Sequence, residues 1–148
     1  MFIEITEMKT AIYEYQLEQI TEADDDIILQ GIEAAIIECE AYLRPSNKKD
    51  VMDGRPRYDV DAIFSATGTS RNALLMQYTK NIAVWHIITL CNVDMIYENA
   101  KDRYDRAIDF LKKLNKGETV LKLPLLQDED TTPQQPFRSG SRIKFNHE

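Results

Sequence analysis

The sequence predicts an all-α fold: a compact bundle of about four helices, with a long loop after the second helix and an extended C-terminal arm. Three observations predict it. Apolar residues recur at spacings of three and four along four segments, as one buried helix face requires. Alternation with period two, the mark of a half-buried strand, is confined to a few residues near the C-terminus. The 5 Gly and 5 Pro fall mostly between the periodic segments.

The first helix is expected to begin after Thr6, acting as N-cap, with Met8, Ala11, Ile12 and Tyr15 on one face. Leu17 and Ile20 form a second apolar set that reads as a separate short turn. The second helix starts at the acidic run Asp24-Asp25-Asp26, where one carboxylate caps the helix and all favour its positive end. Ile28, Leu29, Ile32, Ala35, Ile36, Cys39 and Leu43 then share a face, Glu33, Glu38 and Glu40 point elsewhere, and Pro45 ends the helix. Gly31 costs such an interior about 1 kcal/mol relative to Ala.

Residues 44–70 read as a long irregular loop, with a short element possible within Tyr58–Phe64. The third helix is expected from about Ser70 to Cys91, with Leu74, Leu75, Tyr78, Ile82, Trp85 and Thr89 tracing one face. Ala83, Ile87, Leu90 and Cys91 widen that face until the helix is apolar nearly all round, which suits burial inside a fold or between subunits. The fourth, from about Met95 to Lys116, is strongly amphipathic. Ile96, Ala100, Tyr104, Ala107, Ile108, Leu111 and Leu114 make its stripe, and Asp102 with Arg106 and Asp109 with Lys113 are spaced as i,i+4 pairs. Gly117 stands where a C-terminal glycine cap belongs. The helical domain is therefore set at 1–117 and the arm at 118–148, with a short strand expected near 141–145.

The formal charge is −7, with 18 basic and 25 acidic residues, which argues against free DNA or RNA as the main partner. The charge is uneven: residues 1–40 hold eleven acids and one base, and 101–116 hold six bases and three acids. Such asymmetry suits contact between copies, or with a partner of opposite sign, as well as it suits solvated faces of different helices. The longest run without a charged residue, Asn81–Val93, is too short and polar for a membrane span. Glu4 and Glu7 interrupt the place of a secretory leader. Cys39 and Cys91 stand alone among apolar residues and read as free thiols, without a disulfide or zinc.

No catalytic constellation stands out. The acidic run at 24–26 fails the calcium-loop pattern, because Ile28 falls at a ligand position and no Gly occupies the sixth. His86, inside the most apolar helix, reads as a hydrogen-bonded core or interface residue. Arg55, Arg57 and Tyr58 form a basic–aromatic cluster that could meet phosphate or DNA; the favoured reading has the loop bonding to nearby acids of this chain or a neighbour. The arm has too little apolar mass to fold alone, so another chain must order it if it is ordered at all.

Several stretches nonetheless carry a resemblance. These are Tyr15–Thr21 with the following acids, Ala34–Leu43 with Tyr42-Leu43-Arg44, Leu74-Leu75 through Ile82–Trp85, and Arg103–Leu111 with Lys116-Gly117. The chain resembles, over about residues 1–123, a family of small Mu-like prophage proteins placed with the head–tail connector (adaptor, or head-completion) proteins of tailed phages. Residues 44–70 are longer than the family's usual link, and 124–148 have no counterpart in it.

The resemblance implies a structural virion protein: a subunit of a homo-oligomeric ring that docks on the portal and extends the DNA channel towards the tail. Its implied partners are the portal protein, a stopper or tail-completion protein, and genomic DNA passing without sequence readout, with no membrane and no cofactor. It implies location at the head–tail interface of the virion, and in the host bacterial cytoplasm during assembly. The arm would bind the partner through Phe137, Arg138, Arg142, Ile143, Lys144 and Phe145. Arg55, Arg57, Tyr58, Arg103 and Tyr104 would serve inter-subunit or loop contacts. The alternative is a small helical protein- or DNA-binding regulator; neither reading is an enzyme.

Overall fold

Helix α2, Asp25–Leu43, begins where the sequence caps it: the Asp24 side chain accepts a hydrogen bond from the Asp26 amide at 3.0 Å. Helix α4, Ala73–Cys91, is capped by Asn72, whose Oδ1 accepts from the Leu75 amide. Helix α5, Tyr97–Lys116, ends on Gly117 with φ +78°, the left-handed conformation that lets the last carbonyls be satisfied. These three pack into the body, with α4 against both α2 and α5. A computed structural model describes the chain over residues 1–44, 54–94 and 96–127. It is all-α: the only extended pairing among the described residues is an isolated bridge.

Helix α1, Glu14–Thr21, and the short α3, Val60–Ser65, complete the bundle, with 3₁₀ helices at Ile5–Thr10 and Gly68–Ser70. Two expectations are corrected at the N-terminus. Thr6 caps nothing; it lies inside the first 3₁₀ helix. Tyr15, expected on the buried stripe, is exposed and stacks on Tyr13, while Leu17 and Ile20 do lie in a separate short element, α1. The apolar spacing is satisfied across a bend at Ala11–Tyr13 and not along one helix.

The 44–70 segment is less irregular than expected, because Asp59 caps α3 and buries Val60, Ile63 and Phe64 in the core. Residues 45–53 lie outside the described residues. Helix α4 is rotated relative to the expected stripe: Leu74 and Thr89 are exposed, while Thr79, Lys80, Val84 and Ile88 are buried. Helix α5 starts at Tyr97, two residues late, after Ile96 takes a left-handed backbone at φ 57°. Its two i,i+4 pairs form as spaced, Arg106–Asp102 at 3.0 Å and Lys113–Asp109 at 2.7 Å. Both cysteines are free. Thr79 donates to the Leu75 carbonyl, so its oxygen is left to accept from Cys39 at 3.5 Å, and burial pushes that thiol up to about 12.

The chain does not leave the body at the expected boundary of 117. Leu123 is buried, Tyr58 pairs with Leu125, and the Asp59 and Leu126 amides donate to the Pro124 and Arg57 carbonyls, each at 2.9 Å. Residues 118–127 thus form a strap across the body. Among the described residues no helix is long and apolar enough to cross a membrane.

Candidate functional site

Three constellations gather the residues that could act. The first is a polar node where α2, α4 and α5 meet. Glu38 Oε1 accepts from the Tyr104 hydroxyl at 2.7 Å, and Glu38 Oε2 lies 2.7 Å from His86 Nε2. The Tyr104 ring stacks on Trp85 at 5.3 Å, and Trp85 in turn meets Tyr97 at 5.1 Å. Burial, then the Glu38 carboxylate, raises the Tyr104 hydroxyl above its usual range. None of the cavities described below opens on this node, so its acid, imidazole and phenol bond to each other and stitch three helices together. Tyr104 thus makes an intramolecular contact. Glu38, which sequence reasoning set aside as a surface acid, is its centre.

The second is the loop cluster. Arg55 Nη1 donates to the Asn115 carbonyl at 2.9 Å, and its side chain packs on Gly117. Tyr58 is fully buried under the strap, and its hydroxyl accepts from the Leu121 amide at 3.4 Å. Arg57 contributes its carbonyl to the strap. All three make contacts within the chain, Arg55 to a backbone carbonyl, Tyr58 to a backbone amide and Arg57 through its own carbonyl.

The third is a groove where the Ile5–Thr10 turn and the bend after it face α4 and α5. It consists of two adjoining cavities of about 370 and 610 Å³ that share Thr10, Ala11, Asn81 and Arg103. Lys9 enters the smaller cavity, Lys80 and Arg106 the larger, and no Asp or Glu among the described residues lines either. Arg103 Nη1 donates to the Ala11 carbonyl at 2.8 Å and so holds one wall. Lys80 is 5 % exposed, and its ammonium donates to Thr10 Oγ1 at 3.1 Å; burial lowers its pKa. The nearby Glu7 is already taken: Arg71 grips it with two hydrogen bonds of 2.6 and 2.7 Å and also donates to the Phe2 carbonyl.

The structure brings Arg103 into the groove and disperses the other candidates to the node and the strap. Phe137, Arg138, Arg142, Ile143, Lys144 and Phe145, with the strand expected near 141–145, lie outside the described residues. Among the described residues no group of three or more His, Cys, Asp or Glu side chains could hold a metal ion. No family model, no curated protein and no solved structure matches this chain.

Proposed function

We propose that the chain is a structural assembly subunit, a head–tail connector that forms a ring on a phage portal and prolongs its DNA channel. In this reading it performs no catalytic step and needs no cofactor. One observation carries it. The strap leaves Val120, Leu125 and Leu126 exposed, at 65, 56 and 41 %, close to the last described residue. A monomer gains nothing by pinning three large apolar side chains at its surface. A neighbour that covers them gains their burial. Repetition around a ring then multiplies a weak joint into a firm one.

The test is light-scattering mass in solution, for the full chain alone and with a candidate portal. A defined multimer that co-migrates with the portal is expected, and a variant lacking residues 133–148 should stay folded yet lose the portal. A chain that remains monomeric at every concentration, with or without portal, overturns the reading.

A further inference from the structure

The groove holds more positive charge than the fold uses. Of Lys9, Lys80, Arg103 and Arg106, only Arg106 has an ion-pair partner among the described residues, the exposed Asp102. Lys80 is the telling member. The residue is 5 % exposed, and among the described residues its ammonium donates to Thr10 Oγ1 and lies in the field of the Glu7 carboxylate, which Arg71 already grips. One acid is thus shared between two cations, and a further carboxylate reaching the groove would be favourable there. Beside the groove, Tyr13 and Tyr15 stack on each other at 5.7 Å while standing 69 and 63 % exposed. The pair lies among Lys9, Glu14 and Glu18, and Tyr13 also lines the smaller cavity with Arg103; exposed tyrosines beside charged side chains suit a protein interface.

The same chain carries the complement elsewhere. Glu22, Asp25 and Asp26, at the turn from α1 into α2, are exposed and have no ion pair among the described residues. They sit at the other end of α4: burial, and then the carboxylates of Glu22 and Asp24, raise the thiol of Cys91, the last residue of that helix. The groove borders α4 only from Ala73 to Val84. Cationic groove and acidic corner therefore lie at different places on one molecule. Two such patches pair head to tail, and a head-to-tail contact that closes makes a ring.

We propose that the groove formed by Lys9, Lys80, Arg103 and Arg106 receives the Glu22–Asp26 corner of a second copy of this chain. This assignment deepens the connector reading and rests on it for the ring, but names an interface that can be tested without a portal.

The test uses full-length chains and reads self-association by sedimentation. Arg103→Glu with Arg106→Glu makes the groove acidic, and Asp25→Lys with Asp26→Lys makes the corner basic while keeping the Asp24 cap. Each variant alone should lose self-association by about tenfold or more, and raised salt should weaken the wild type in the same direction. Mixed one to one, the two variants should associate again, because each reversed groove then meets a reversed corner. Lys80→Met removes one of the four charges of the groove, so it should weaken association while raising the melting temperature of the dilute chain. Groove variants that associate like the wild type overturn the assignment and leave the connector reading standing. So do groove variants that instead lose retention of duplex DNA, which would make the groove a phosphate contact. Association that is lost, then rescued by mixing, in a chain no portal retains would uphold the interface and sink the connector. Failure of the mixture to rescue also overturns the pairing.

Discussion

Gly31 offers the sharpest test of how α2 and α4 meet. It sits in the interior of α2, and a Cβ added there would lie 2.4 Å from Ile87 Cγ1 and 3.4 Å from the Ala83 carbonyl oxygen. Carbon atoms pack best at about 3.5–4.0 Å, so Gly31→Ala must push the helices or the Ile87 side chain by about 1 Å. Ile87 is 1 % exposed and cannot swing into solvent. Overpacking of this severity costs about 3 kcal/mol, against about 1 kcal/mol recovered from replacing a helical glycine. The net expectation is a loss of about 2 kcal/mol. Urea unfolding followed by the fluorescence of Trp85, the single Trp of the chain, should show a midpoint lowered by about 1 M at unchanged slope. Ile87→Ala removes the atom in the way, so the double variant should be more stable than additivity predicts by at least about 1 kcal/mol. A Gly31→Ala chain as stable as the wild type, or strict additivity in the double, would refute the close approach of α2 and α4.

Three further outcomes follow from the same contacts. Tyr104→Phe keeps the ring on Trp85 but loses the hydrogen bond to Glu38, and should cost about 1–2 kcal/mol in a thermal melt; no loss would mean the node is open to water. Arg71 holds the Glu7 carboxyl at about 2, below its usual 4.5. A lowered carboxyl adds stability that is present above its unfolded value and disappears as pH falls towards the folded one, so stability should decline between about pH 5 and pH 2. After solvent screening that amounts to the order of 1 kcal/mol, and Glu7→Gln should flatten the profile; an unaltered profile would refute the clamp. Gly117→Ala must hold φ +78° and displace Arg55, whose Cγ would be 2.8 Å from the new methyl. It should cost about 1–2 kcal/mol by calorimetry, and an unchanged melt would refute the Arg55 contact.

Local chemistry explains what was legible in the sequence. Helix α5 could be read almost residue by residue, because its stripe, its ion pairs and its glycine cap act within one or two turns. The start of α2 was legible for the same reason, in Asp24. Helix α4 was not. It is apolar on every side, so the period fixes a helix but not its rotation, and nothing nearby says that Lys80 is buried and Leu74 exposed. That depends on Thr10, seventy residues earlier, arriving over Lys80. Glu38 was misjudged in the same way. Along α2 it lies off the apolar stripe, and only the arrival of His86 and Tyr104, 48 and 66 residues away, encloses it. Of the groove, Arg103 was singled out only through the stretch 103–111 that carries the family resemblance; the other cationic residues of the groove come from the first turn, α4 and α5 and share no motif.

The two ways this fold handles charge bear on what it is for. Where an acid is drawn into the packing, a partner meets it: Arg71 closes on Glu7, and His86 and Tyr104 close on Glu38. Both pairings can be made inside one chain, so they contribute to the stability of a monomer and need nothing outside it. Lys80 differs, since Glu7, the acid acting on it among the described residues, is already engaged by Arg71. A chain selected for monomer stability alone would gain by placing an apolar side chain there, because the cavity beside it already supplies the room. Glu7 offsets part of the cost of that ammonium, and in the proposed interface a carboxylate of the second copy would offset more. The groove is lined by Lys9, Lys80, Arg103 and Arg106 and, among the described residues, by no acid, and the complement it would take has the sign that the first forty residues of the chain carry in excess.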